Sequence, residues 1–133
     1  MTQWTLTNTL KKSAEEHQFW IKGKQVLKRI DVYRWGTFII TTENAKPPKI
    51  NKKNPDGLNI EDCGYEAEME GMYDGCSADY EWVNKTSKKE CTRIEQGLEE
   101  ASSHYDYLEN DGWLLTDTEY WFYGPLKIEK VQD

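Results

Sequence analysis

The chain is poor in the residues on which most catalysis and metal binding depend. Its 133 residues include two histidines, three cysteines and four prolines. No apolar run approaches the roughly 18 residues that a membrane span requires, so no membrane segment is expected. The opening Met1-Thr2-Gln3-Trp4 lacks the charged start and apolar stretch of an export signal, and the expected location is the cytoplasm. An odd cysteine count without such a signal favours reduced thiols over a disulfide framework. Cys63, Cys76 and Cys91 are widely separated, and adding His104 creates no closely spaced ligand pair of the kind zinc sites use. No metal and no cofactor is therefore expected. There is no nucleophile elbow, glycine-rich phosphate loop or metalloprotease helix. His17 follows Glu15-Glu16 in what reads as a turn, and His104 reads as a helix flank. An enzyme is not the favoured reading.

What the chain does have is rings and acid. Aromatic residues make up 13% of it, with six Trp and eight Tyr, although all hydrophobic residues together reach only 37%. A disordered chain would lack those rings, so one folded domain over residues 1–133 is expected, with an aromatic-rich core. The net charge of −7 is unevenly spread. Residues 1–55 hold eleven Lys/Arg against four Asp/Glu, and residues 56–133 hold six against twenty. A sequence-independent nucleic-acid binder needs a basic face that displaces counterions, and the second part of the chain opposes that. The same charge attracts a basic protein surface.

Periodicity gives the elements. Residues 18–42 read as an antiparallel meander: Gly23 is a turn, and Gly36 breaks the run before Thr37-Phe38-Ile39-Ile40-Thr41-Thr42. Val26, Lys28, Ile30, Val32 and Arg34 share one face; Leu27, Arg29, Asp31, Tyr33 and Trp35 share the other. Ser13-Ala14-Glu15-Glu16 fits a capping box and suggests a helical turn near 10–17. Residues 43–60, rich in Lys, Pro and Asn, read as a mobile loop. Asp74-Gly75 reads as a two-residue hairpin turn joining two alternating segments within 63–83. In that register Met69 faces Tyr80 and Ala67 faces Trp82, while Glu70 opposes Asp79 and Glu68 opposes Glu81. Cys91, Ile94, Leu98, Ala101, Tyr105 and Leu108 recur at steps of three and four and predict one long helix over 87–110. Ser87 with Glu90 starts it and Gly112 stops it. Residues 112–131 read as strands bent at Gly124-Pro125. The expected class is α+β: an antiparallel sheet of about six to eight strands with that helix packed on one face.

Two candidate sites follow. The first is a carboxylate ladder of Glu66, Glu68, Glu70, Asp79 and Glu81 on one outward face. Like charges directly opposite each other cost roughly 0.2–1 kcal/mol per pair, so structure alone does not select the arrangement. It suits docking on a basic partner protein. The helix ends add to this, because Lys85, Lys88 and Lys89 at its start and Asp106, Glu109 and Asp111 at its close oppose the macrodipole. A partner, or a second copy forming a homodimer, would account for both. The second candidate is a ligand pocket of Trp20, Lys22, Lys24, Arg34, Trp35, Lys46 and Lys49, in which rings stack a base and cations hold a phosphate. That pocket would make the protein a sponge for a small nucleotide signal. In Tyr120-Trp121-Phe122-Tyr123 both faces of a strand are aromatic, so one face must meet a second layer, a ligand or another subunit.

The stretch from Asp111 to Val131, with its aromatic strand and Gly124-Pro125-Leu126-Lys127-Ile128-Glu129 ending, resembles small accessory proteins of tailed bacteriophages, especially those of cyanobacteria. The acidic alternation between Cys63 and Trp82 is similar in style. The resemblance implies a compact viral protein that acts in the host cytoplasm on a host factor, such as a defence component.

Overall fold

The computed structural model describes residues 1–8, 14–48, 65–73, 79–123 and 126–131. Among these residues seven antiparallel strands form one sheet: β1 (Thr2–Asn8), β2 (Ala14–Lys22), β3 (Gln25–Thr42), β4 (Tyr65–Tyr73), β5 (Asp79–Trp82), β6 (Leu114–Phe122) and β7 (Lys127–Lys130). Two helices, α1 (Lys88–Glu100) and α2 (His104–Asn110), lie between β5 and β6 in the chain. The α+β class and the antiparallel sheet match the sequence reading.

β3 organises the rest. It is 18 residues long and continues through Gly36, so the expected meander is instead one hairpin, β2–β3, with a long second arm. Lys22 pairs with Gln25 across the Gly23-Lys24 turn, and Gly23 has φ +59°. Only the first central residue needs positive φ, so glycine there and lysine next suffice. Along one edge β3 takes β2 and then β1; along the other it takes β5 and then β4. β6 extends the sheet beyond β2, and β7 extends it beyond β1. The sheet thus has two four-stranded portions, β6-β2-β3-β5 and β7-β1-β3-β4, that share β3. A register shift between Arg34 and Gly36 separates them. One extra residue there switches the alternation, so that Leu27, Arg29, Asp31 and Tyr33 on the inner face are followed by Phe38 and Ile40.

The inner face carries two cores. Trp20, Leu27, Ile94, Leu98, Leu108 and Trp113 form one beneath the helices. Leu6, Ala14, Phe38, Ile40, Phe122 and Leu126 form the other. Each fully buried side chain of this size contributes about 1.5–3 kcal/mol by leaving water.

Three further expectations need correction. The helical turn near 10–17 is not there for its described part: residues 14–17 belong to β2, paired on both sides with β3 and β6. Two ladders outweigh one local capping box. Second, the long helix is two. Ala101 and Ser103 are extended, and Ser103 accepts a hydrogen bond from the Asp106 N–H to start a new helix. The break changes the stripe: Tyr105 is half exposed and meets Trp20 only edge-on, and Tyr107, which the stripe left out, also packs on the core. The start at Ser87 and the stop at Gly112, φ +94°, stand as read.

Third, β4 and β5 do not pair with each other; both pair with β3. Met69 is in register with Phe38 and Ala67 with Ile40, rather than with Tyr80 and Trp82. The hairpin would oppose carboxylate to carboxylate. The actual register sets Glu68 against Ile39, Glu66 against Thr41 and Glu81 against Lys28, and it also pairs most of the second edge of β3. Asp74-Gly75, Gly124-Pro125, Cys63, Cys76 and residues 49–60 of the expected loop lie outside the described residues.

Candidate functional site

The outer face of β6-β2-β3-β5 can be read row by row from the register. Glu119, His17, Ile30 and Asp79 form one row; Asp117, Phe19, Lys28 and Glu81 form the next. His17 is 4% exposed and stacks flat on Trp121, with ring centroids 4.6 Å apart. Its Nε2 lies 3.7 Å from Glu15 Oε1, and neither ring nitrogen has a hydrogen-bond partner among the described residues. The Tyr123 hydroxyl bonds to the Glu15 carboxylate. Lys28 Nζ sits 5.7 Å from the Phe19 ring centroid and 5.8 Å from that of Trp121, and 3.5 Å from Glu81 Oε2. A cation held over two rings and beside a carboxylate is the arrangement such a surface offers any positive group.

The inner face holds a polar strip between the two cores. Arg29 pairs with Asp31, which is 4% exposed, and its Nε donates to Tyr80 Oη at 3.2 Å. Tyr80 Oη lies 2.8 Å from His104 Nδ1, and His104 also bonds to the Leu98 backbone. A neutral ring protonated on Nε2 satisfies both contacts, with the Tyr80 hydroxyl donating to Nδ1. Burial, reinforced by the Arg29 charge, holds the His104 pKa below its ordinary value. Glu16 accepts from Gln18 Nε2 at 3.0 Å and from Tyr33 Oη at 3.3 Å. Burial, and then Asp31, push its carboxyl above the usual range. Glu16 and His104 are the pair whose environments separate acid from base, the pattern a reaction centre needs. Yet each is already engaged by neighbouring side chains, and the network ties β2, β3, β5 and α2 together. This strip anchors the fold.

Asp111 closes α2 and gathers a second network. Arg93 reaches it at 2.9 and 3.2 Å, Lys22 at 3.2 Å and Trp113 Nε1 at 3.1 Å. Its hydrogen bond with Arg93, helped by Lys22, lowers its pKa to about 2. Two of the unfavourable charges at the close of the helical region thus have an internal cause: Asp111 is matched by two cations, and Asp106 lies in the favourable first turn of α2. Burial, and then Glu95, raise the Cys91 thiol, which disfavours the reactive thiolate.

The sequence-derived carboxylates Glu66, Glu68, Asp79 and Glu81 are all exposed. They lie in succession on β4 and β5, along one edge of β3, and the Glu70 backbone continues the same register opposite Thr37. The nucleotide-pocket residues do not converge. Trp20 is 0% exposed beneath the helices, so its ring cannot stack a base. Leu27, its partner, and Trp35 are eight positions apart on β3, roughly 26 Å of extended chain. Lys22 binds Asp111, Lys24 is exposed in the turn, Arg34 is half-buried beside the bulge, and Trp35 and Lys46 are exposed. Lys49 lies outside the described residues.

Sequence reasoning missed Glu15, His17, Lys28 and Trp121 as one group. Their spacing on β2, β3 and β6 becomes readable only once the register of three strands is known. Among the described residues no three His, Cys, Asp or Glu side chains are placed to share a metal ion. No helix among them is long and apolar enough to cross a membrane. Comparison of the chain with protein-family models, with curated proteins and with solved structures yields no match. Fold and surface define the class: an α+β protein with helices on one sheet face and a carboxylate-lined edge and outer face.

Proposed function

We propose that the protein is a non-enzymatic binding module that docks on a basic protein and occludes it. In the viral setting that the sequence resemblance suggests, the partner is a basic host factor. The observation that carries this reading is the succession of exposed carboxylates Glu66, Glu68, Asp79 and Glu81 along a single edge of β3. The ladder that first suggested docking is not formed, but an extended acidic edge replaces it. Such an edge sets on-rate and orientation, and neighbouring apolar contacts supply affinity. No observation favours the nucleotide sponge, given the buried Trp20.

The test is binding to a lysine-rich peptide across a salt series, followed by capture of a partner from host lysate at low and high salt. Binding that weakens steeply with salt is expected. Glu68→Lys with Glu81→Lys is expected to abolish it while circular dichroism stays unchanged, since both positions are exposed. Unaltered binding by that double variant would refute the docking role.

A further inference from the structure

Ile21 pairs with Leu114 on one side and with Val26 on the other, and the Val83 N–H donates to the Val26 carbonyl at 3.0 Å. Four branched aliphatics therefore stand in one row across β6, β2 and β3 and the residue that directly follows β5. Alternation places this row on the outer face, because Trp20, Leu27 and Trp82, one position along, belong to the core under α1 and α2. Helices cover that inner row; its outer counterpart is open at both ends, with Leu114 69% and Val83 53% exposed. The row beside it carries Asp117 and Glu81 at its two edges, both exposed, and Asp79 is exposed one row further.

We propose that this aliphatic row is the apolar anchor of the docking face. Its occupant is an amphipathic basic segment of another protein, with leucine-like side chains on the row and lysines or arginines against Glu81, Asp79 and Asp117. The inference rests on the docking reading above and names the shape of the partner. Charge complementarity selects the occupant. In the two rows that follow the aliphatic row away from the Gly23-Lys24 turn, four carboxylates, Asp79, Glu81, Asp117 and Glu119, stand against one cation, Lys28, which is committed to Glu81. A second copy apposed on this face would bring like charges together, whereas a basic segment neutralises them. Lys28 shows that the face accommodates a cation, since its ammonium lies over the Phe19 and Trp121 rings.

The full chain is titrated with three short synthetic peptides: an amphipathic Leu/Lys peptide, a Gly/Lys peptide of equal charge and a Leu/Gln peptide without charge. The Leu/Lys peptide is expected to bind about tenfold more tightly than either of the others. Leu114→Asp with Val83→Asp, both at exposed positions, is expected to remove that advantage and leave Gly/Lys binding within about twofold. Equal affinity for the Leu/Lys and Gly/Lys peptides would overturn the anchor and leave the acidic docking reading standing. No binding of either basic peptide would overturn both. Sedimentation showing a dimer that dissociates in the Leu114→Asp variant would assign the row to a second copy and overturn the proposal.

Discussion

The two portions of the sheet share β3 but are stabilised differently. In β6-β2-β3-β5 a second layer exists: α1 and α2 cover Trp20, Leu27 and Trp82, and hydrogen bonds at the Asp111 carboxylate and the neutral His104 ring pin the helices down. In β7-β1-β3-β4 no described helix lies on the sheet, and Leu6, Phe38 and Ile40 pack with Phe122 and Leu126 from the ends of β6 and its continuation. The difference teaches how one strand serves two cores. The shift at Arg34–Gly36 changes which residues point inward, and the polar strip around Arg29 and Asp31 keeps the cores separate.

The comparison is broken most severely by emptying one core. Trp20→Ala and Phe38→Ala each remove a 0%-exposed ring, one from each core, and each is expected to cost about 3–5 kcal/mol. If the shared β3 makes the sheet one cooperative unit, urea unfolding followed by far-UV circular dichroism and by Trp fluorescence gives coincident transitions in both variants. Separate transitions would show that the portions fold independently. Next in size is the strip itself. Arg29→Met leaves the Asp31 carboxylate buried without its guanidinium and is expected to cost about 3 kcal/mol, largely recovered by Asp31→Asn in the same chain.

Gly97→Ala sharpens the helix side. A Cβ there would lie 2.0 Å from Tyr107 Oη, so α2 must shift, at about 1–3 kcal/mol despite alanine's better helix propensity. Urea denaturation checks it, and Tyr107→Phe in the same chain should recover only part of the loss, because the ring also crowds the site.

The smallest effects are those of pH. Asp111 has a folded pKa of about 2 against an ordinary 3.8. Its stabilisation is therefore present above about 4 and is lost as pH falls toward 2. Because Arg93 is 44% exposed and Lys22 38%, solvent screening reduces it to about 1 kcal/mol, and Asp111→Asn should flatten this part of the acid limb. Glu16 acts in the opposite sense: its folded pKa is raised above 4.5, so its contribution is full below that value and is lost as pH rises through the folded pKa. A thermal-unfolding series across pH should show Glu16→Gln removing that decline.

Much of this fold was legible in the residues, because some signals are local. Ser87 with Glu90 and Gly112 marked helix ends through their own backbone geometry. The alternation of Leu27, Arg29, Asp31 and Tyr33 against Val26, Lys28, Ile30 and Val32 fixed two faces of β3. Tyr120-Trp121-Phe122-Tyr123 has aromatic partners on both faces, as its pattern required: Phe122 meets Phe38 on the inner side, and Trp121 meets His17 on the outer. The break at Ala101–Ser103 was hidden because the i, i+3, i+4 stripe continues across it.

Sequence by itself determined most strands, the outer ends of the helical region and which residues share a face within an uninterrupted run, since φ/ψ preference and side-chain period are properties of neighbouring residues. Tertiary structure alone decided which strand each segment joined. The alternating segments around Cys63–Trp82 could have closed on each other, yet the long edge of β3 offered pairing without opposed carboxylates. Hydrogen-bond satisfaction and charge placement across the whole sheet settled it, and no local window contains that information.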